Sequence, residues 1–412
     1  MEMLKGNAVV GQSGGPTAAI NASLAGVIEG AFAMQKEGII NTLYGMKNGM
    51  EGLLAEDLCN LFEAFATEQS LALLRRTPSS ALGSCRYKLP TPEKDEAGYE
   101  EVLRIFKKYD IRYFFYIGGN DSMDAVDKLT RFFASRDYAV RIVGVPKTID
   151  NDLVVTDHTP GFGSAAKYIA TTMHEILRDC AVYRVRAVTI VEIMGRDAGW
   201  LTASAALPAA VGAPAPDLIY LPERPFSMDA FFADLRKAFE KHPNIVVAVS
   251  EGIRTADGEY VGAGTQSGAV DSFGHRYLAG TAKALELAVK AEFGCKVRSI
   301  ELNLPQRCAS HLASLTDIEE SAAVGFHAVR AACAGESGCM ATILRAQETP
   351  YRAEYGTTPV SAVANQVKTV PASYINEEGN GITEEGLAYL LPLIQGELTP
   401  VFRDGLPVHI IL

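Results

Sequence analysis

The chain reads as an α/β protein: two Rossmann-like three-layer α/β/α domains, each with a mostly parallel sheet. Three observations predict this. Its 412 residues exceed what one hydrophobic core usually holds, so two compact domains are expected. Short apolar, β-branched runs alternate with stretches of helical period, the pattern of parallel sheets covered on both faces. Glycine- and acid-rich segments follow several of those runs directly, at the strand ends where open parallel sheets bind ligands. Hydrophobic residues make up 48% and charged residues 21% of the chain, which excludes disorder as its main state.

In chain order, the predicted strands are Asn7–Val10, Arg112–Ile117, Val140–Val145, Ala187–Ile193, Asp217–Leu221, Ile245–Val249 and Lys296–Leu302. Helical periodicity marks Ala125–Ala134, Ser164–Asp179, Met228–Lys241 and Leu278–Phe293. The segment Arg345–Glu354 and the tail after Asn376 read as peripheral additions. No short-period repeat or low-complexity tract is present.

A formal net charge of −11 makes general nucleic-acid or anionic-membrane binding a poor fit. Any site for a phosphate-rich ligand must concentrate positive charge locally. The longest uncharged run, Gly6 to Ile28, could cross a bilayer by length alone. Its Gln12, Ser13, Gly14, Gly15, Pro16, Asn21 and Ser23 argue against a membrane helix. With Glu2, they also argue against a signal-peptide core. The seven cysteines show no C-x-x-C and no regular spacing, which points to buried thiols in a reducing cytoplasm. The seven histidines are scattered, so a zinc site is not expected.

Three segments carry chemistry. Gly11-Gln12-Ser13-Gly14-Gly15-Pro16-Thr17 joins a strand to a helical stretch. Its glycines let backbone N–H groups approach a phosphate at a helix start. It is neither a dinucleotide G-x-G-x-x-G nor a Walker loop, and read alone it fits a tight turn equally well. Gly118-Gly119-Asn120-Asp121-Ser122 repeats the arrangement. Asn120 and Asp121 offer oxygens to a hydrated Mg²⁺ and Ser122 offers a hydroxyl to a phosphate, while capping by Asn120 or Asp121 is the plainer reading. Pro146-Lys147-Thr148-Ile149-Asp150-Asn151-Asp152 places one cation, one hydroxyl and two carboxylates together. Phosphoryl transfer needs that set, with a base for a hydroxyl proton and a cation for phosphate charge. A solvated acidic turn would have the same composition.

Together these segments resemble the ordered signature of the 6-phosphofructokinase family. The match runs through Gly14-Gly15 with Ile20-Asn21, Gly-Gly-Asn-Asp-Ser, Pro-Lys-Thr-Ile-Asp-Asn-Asp, Met194-Gly195-Arg196 and Ser250-Glu251-Gly252. It covers about Val10 to Ser310. The resemblance implies a phosphofructokinase-like fold. Residues 1–160 with about 305–375 would bind donor and Mg²⁺, and residues 161–304 with 376–412 would bind the sugar phosphate. It also implies roles. Asp150 is the base; Lys147, Thr148 and Arg196 act beside it. Gly14, Gly15, Arg86, Gly118, Gly119, Asn120, Asp121 and Ser122 bind the donor. Thr148, Asp152, Met194, Gly195, Glu251, Arg298 and Arg307 bind the acceptor, with Arg186 as a substitute for the family arginine at Ala187. Asp121 and Asn120 hold the metal.

Within the family, ATP-using members carry glycine at the places of Asp121 and Lys147, and pyrophosphate-using members carry Asp and Lys. A carboxylate at 121 crowds and repels a nucleotide α-phosphate, and an ammonium at 147 suits a compact, highly charged pyrophosphate. The donor expected is therefore inorganic diphosphate and the acceptor fructose 6-phosphate. An ATP-using enzyme and a catalytically silent subunit are the alternatives, and sedoheptulose 7-phosphate is an alternative acceptor. Three positions depart from the family pattern: Asn120 for a metal-linked Asp, Ala187 for an arginine, and Leu304 for a His or Tyr. Ala25 stands at an effector-site arginine, so little nucleotide allostery is expected. A homodimer or homotetramer with shared active sites is also implied.

Overall fold

The computed structural model describes residues 4–85, 87–265 and 280–412. Two sheets organise them. The first has seven strands in the order β11-β10-β5-β4-β1-β2-β3. These are β1 Gly6–Gln12, β2 Ile40–Met46, β3 Leu58–Asn60, β4 Ile111–Gly118, β5 Arg141–Pro146, β10 Cys339–Gln347 and β11 Arg352–Pro359. All its interior pairs are parallel, and only β3 and β11, at the edges, run antiparallel. The second sheet, in the order β7-β8-β6-β9, is parallel throughout. It contains β6 Ala187–Ile193, β7 Leu218–Tyr220, β8 Asn244–Ser250 and β9 Lys296–Glu301.

Each strand read from the sequence lies in one of these sheets. The helices follow at Asn120–Ala134, Phe162–Cys180, Met228–Phe239 and Thr281–Phe293. The start of the predicted stretch at Leu278 lies outside the described residues. The first helix begins five residues earlier than its periodicity indicated, because its polar first turn belongs to the ligand loop.

Two segments expected to be peripheral are structural. Arg345–Glu354 forms the end of β10, a turn and the start of β11, a hairpin that widens the first sheet. Most of its residues are exposed, at the edge of that sheet. The tail after Asn376 contains the helix Glu384–Leu390. Leu387, Leu390 and Leu393 join the core formed by Phe162, Ile169, Val191 and Trp200.

The long uncharged run is explained by burial within the protein. The helix Ile20–Lys36 packs against Leu315–Cys333 with almost no gap. A Cβ on Gly26 would meet the Ala322 carbonyl at 1.9 Å, and one on Gly325 would meet the Ser23 carbonyl at 2.3 Å. A helix that is apolar on nearly every side belongs in a core. Among the described residues, no helix is long and apolar enough to cross a membrane.

Candidate active site

The strands β1, β4, β5, β6 and β8 all point their carboxyl ends at one cavity of about 490 Å³. The loop after β1 is held from both sides. Ser13 N–H donates to Ile117 O at 2.9 Å, Gly14 N–H to Cys85 O at 3.3 Å, and Ser84 Oγ to Gly14 O at 2.6 Å. Gly14 has φ +78°, where a side chain would be strained, and a Cβ there would sit 3.3 Å from Lys147 Nζ. Arg86, expected to reach the donor, lies outside the described residues.

Lys147 ties the first sheet's loops together. Its N–H donates to Gly118 O at 2.9 Å and its ammonium to Gly15 O at 2.7 Å. It is only 3% exposed, so a buried cation faces the two glycine loops in an otherwise acidic protein. Gly119, Asn120, Asp121 and Ser122 line the same end of the cavity. Gly118 itself lies beneath, where a Cβ would overlap Ser122 Oγ at 1.9 Å. The Asn120 amide is turned to the backbone of residues 365 and 366.

Behind Lys147 the loop is held by hydrogen bonds. Thr148 Oγ1 accepts from Asp150 N–H at 3.1 Å, and Thr159 Oγ1 donates to Thr148 O at 2.8 Å. Lys368 Nζ bonds Asn151 Oδ1 at 3.2 Å and the carbonyls of Thr156 and Asp157. Beneath it, His158 bridges Asp157 at 2.8 Å and Glu320 at 2.5 Å, and Arg345 bonds Asp157 at 3.1 Å. Burial alone would lower the His158 pKa, but its two carboxylate partners outweigh this and raise it to about 9. Burial likewise works against Asp157, yet hydrogen bonds from His158 and Arg345 hold it at about 2.

The second sheet supplies the opposite wall. Met194-Gly195-Arg196 leaves β6 and packs on Ser250-Glu251-Gly252 leaving β8. Gly195 N–H donates to Glu251 Oε1 at 3.3 Å, and a Cβ on Gly252 would overlap the Arg196 carbonyl at 1.9 Å. Met194 N–H donates to Gln306 Oε1 at 3.2 Å, which anchors the short helix carrying Arg307. Arg307 reaches across the cavity, so that a Cβ on Gly15 would lie 3.3 Å from its Nη1.

Asp150 stands where the walls meet. Burial, then the nearby Asp152, raises its pKa to about 7, against the pull of Arg196 and Lys147. Burial and Asp150 raise Glu251 to about 8. Burial also raises Asp152. A carboxylate tuned near neutrality is suited to accept a hydroxyl proton. Among the described residues, no three His, Cys, Asp or Glu side chains form a ready metal cage. Asp121 alone on the donor wall fits Mg²⁺, which keeps waters and takes few carboxylates beside substrate phosphates.

Most of the predicted set therefore converges. Two members do not. Arg298 is exposed on β9, the edge of the second sheet, and does not line this cavity. The Arg186 guanidinium lies 4.0 Å over the Phe239 ring, at the other end of β6 from Met194. Sequence reading missed Gln306, Asp197, Asn365 and Val367. The last two come from a segment with no motif, and only the fold delivers them.

Two glycine loops joined by a buried lysine face the Met194–Arg196 and Ser250–Gly252 turns, with Asp150 between, an arrangement that fits a phosphotransferase. The phosphofructokinase family matches residues 7–332, and the chain belongs to that family. It is 43% identical to the pyrophosphate–fructose 6-phosphate 1-phosphotransferase of Xanthomonas campestris pv. campestris, over 100% of this chain and 97% of that protein. It is 42% identical to the enzyme of the same name from Halomonas elongata, over 98% and 96%. The crystal structure of a pyrophosphate-dependent phosphofructokinase from Nitrosospira multiformis superposes with a TM-score of 0.88 at 38% identity, covering 98% of this chain and 96% of that one.

Proposed function

We propose that this protein moves a phosphoryl group reversibly from inorganic diphosphate to the 1-hydroxyl of fructose 6-phosphate, giving fructose 1,6-bisphosphate and phosphate. One observation carries the choice of donor. Asp121 and Lys147 both line the donor end of the cavity that holds Asp150. A carboxylate there opposes a nucleotide α-phosphate, and a buried ammonium favours a compact, highly charged anion.

In the forward direction Asp150 takes the proton from the sugar 1-hydroxyl. The oxygen attacks the near phosphorus of diphosphate, the new P–O bond forms, and the bridging P–O bond breaks to release phosphate. Lys147 and Arg196 stabilise charge on the transferring group. Gly14, Gly15 and Gly119 present backbone to the donor, Ser122 supports that loop, and Arg86 is its expected further contact. Thr148, Asp152, Met194, Gly195, Glu251 and Arg307 orient the acceptor. Mg²⁺, held by Asp121 with the donor's own oxygens, would neutralise phosphate charge.

The position of Arg298 on an exposed sheet edge supports a homodimer or homotetramer in which Arg298 serves a partner's site. The seven unpaired cysteines support a cytoplasmic location. Residues 1–160 with about 305–375 make up the donor domain and 161–304 with 376–412 the sugar-phosphate domain, with Thr148, Asp152 and Arg307 reaching the acceptor from the first of these. The test is an initial-rate comparison with fructose 6-phosphate and Mg²⁺ and either donor. Turnover is expected with diphosphate. Turnover with ATP alone would overturn the donor reading.

A further inference from the structure

After β11 the chain crosses from one wall of the cavity to the other through residues 365–370. Its first end is fixed by Asn120. Asn120 Nδ2 donates to Gln366 O at 2.5 Å, and Asn120 Oδ1 accepts from Asn365 N–H at 2.6 Å. Asn365 adopts φ +62° there, and its own amide reaches Asp124 Oδ1 at 3.4 Å. The middle is fixed to the catalytic loop, where Lys368 N–H donates to Asp152 O at 2.8 Å. The far end is fixed to the second sheet's side. Trp200 Nε1 donates to Lys368 O at 3.0 Å, and Glu223 Oε1 accepts from both Val370 N–H at 2.9 Å and Gly199 N–H at 2.8 Å.

Asn365 and Val367 line the cavity beside Gly119–Ser122. The Asn120 side chain therefore has one donor and one acceptor matched to two successive backbone groups. An aspartate in the same place could accept from residue 365 but would set a carboxylate against the carbonyl of residue 366. Such a mismatch leaves a polar group without its partner. Neither interaction is legible from the Gly-Gly-Asn-Asp-Ser motif, since the partner lies 245 residues further along the chain.

We propose that Asn120 is a positioning residue that latches residues 365–370 over the donor end, and that this strap, with Val367 as its wall, limits the donor to two phosphorus atoms. The proposal rests on the diphosphate reading above. It is tested by steady-state kinetics of Asn120→Asp and Val367→Gly, with inorganic tripolyphosphate as a competitor of diphosphate. For Asn120→Asp, KM for diphosphate is expected to rise about tenfold while KM for fructose 6-phosphate stays within twofold, and tripolyphosphate is expected to inhibit about fivefold more tightly. Val367→Gly keeps the Asn120 hydrogen bonds and is also expected to tighten tripolyphosphate inhibition. That variant decides the matter if Asn120→Asp does not fold. Unchanged tripolyphosphate inhibition in the variants overturns the strap as the limit on donor length. A fall in the Mg²⁺ requirement of Asn120→Asp, with KM for magnesium diphosphate unchanged, overturns the latch in favour of a metal role. Failure of the unmodified enzyme to use diphosphate would instead overturn the donor reading itself.

Discussion

The two walls of the cavity are made of different material. The wall from the first sheet combines glycine loops with short polar side chains. Gly14, Gly15 and Gly119 line it beside Asn120, Asp121 and Ser122, and one buried lysine supplies the positive charge. The wall from the second sheet is mostly side chain, with Met194, Arg196, Glu251 and Arg307 projecting from tightly packed turns. The difference matches the ligands proposed for them. A diphosphate presents the same oxygens in many orientations, so glycine loops that allow close approach and a point charge suffice. A sugar phosphate has hydroxyls of fixed handedness, which only placed side chains can distinguish.

The largest expected effect lies at the seam, because Asp150 belongs to neither wall alone. Asp150→Asn should lower kcat by about 10²–10⁴-fold while fructose 6-phosphate binding, followed by titration calorimetry, changes little. The same variant should melt at a higher temperature at pH 8. The native-state pKa is raised from 3.8 to about 7, so the native state holds its proton more tightly than the unfolded chain. Stability therefore falls as pH rises across that window, and an amide removes a penalty of a few kcal/mol at most. In the unmodified enzyme the rate should climb with pH through about 7. A rate independent of pH in that range would separate Asp150 from the proton transfer.

Next come paired changes that sharpen the contrast between walls. Gly14→Ala forces a side chain into φ +78° beside Lys147 Nζ, at a cost of about 1–2 kcal/mol. KM for diphosphate should rise about tenfold and KM for fructose 6-phosphate should hold. Glu251→Gln should do the reverse. If both variants moved both constants equally, the two walls would not act separately.

The smallest effect on turnover is expected behind the loop. His158→Gln leaves the cavity lining untouched, and kcat should stay within a few-fold. Stability at pH 6 should drop by about 3–5 kcal/mol, the usual consequence of breaking a buried ionic cluster. The His158 contribution is present in full below about pH 6.5 and fades as pH rises through about 9, so the two melting curves should converge there. Thermal melts of both proteins from pH 6 to 10 would check this.

Much of the site was legible because its residues follow strands directly. Once a parallel strand is identified, the residue after its last apolar position must face the carboxyl edge. Gly14, Asp121, Lys147 and Asp150 lie in loops that follow such strands, and their roles, with those of Arg196 and Glu251, came from the resemblance to the family. Arg345 and Leu390 did not, since one sits in a half-buried hairpin and the other in a short helix whose packing partners are distant in sequence. The His158 cluster was also silent. Its members, Asp157, Glu320, Arg345 and Tyr351, are scattered over the chain and meet only across layers.

The chain's own order of residues determined the alternating architecture, the glycine- and acid-rich loops after its strands, and the candidate base. These depend on local chemistry, on hydrophobic period and on which residue follows each strand, all of which short range can encode. The fold alone decided that Asp150 is pushed toward neutrality, that Arg307 spans to Gly15, and that Asn120 grips a segment from the far end of the chain. Those outcomes depend on burial and on separations through space, which no local stretch of sequence contains.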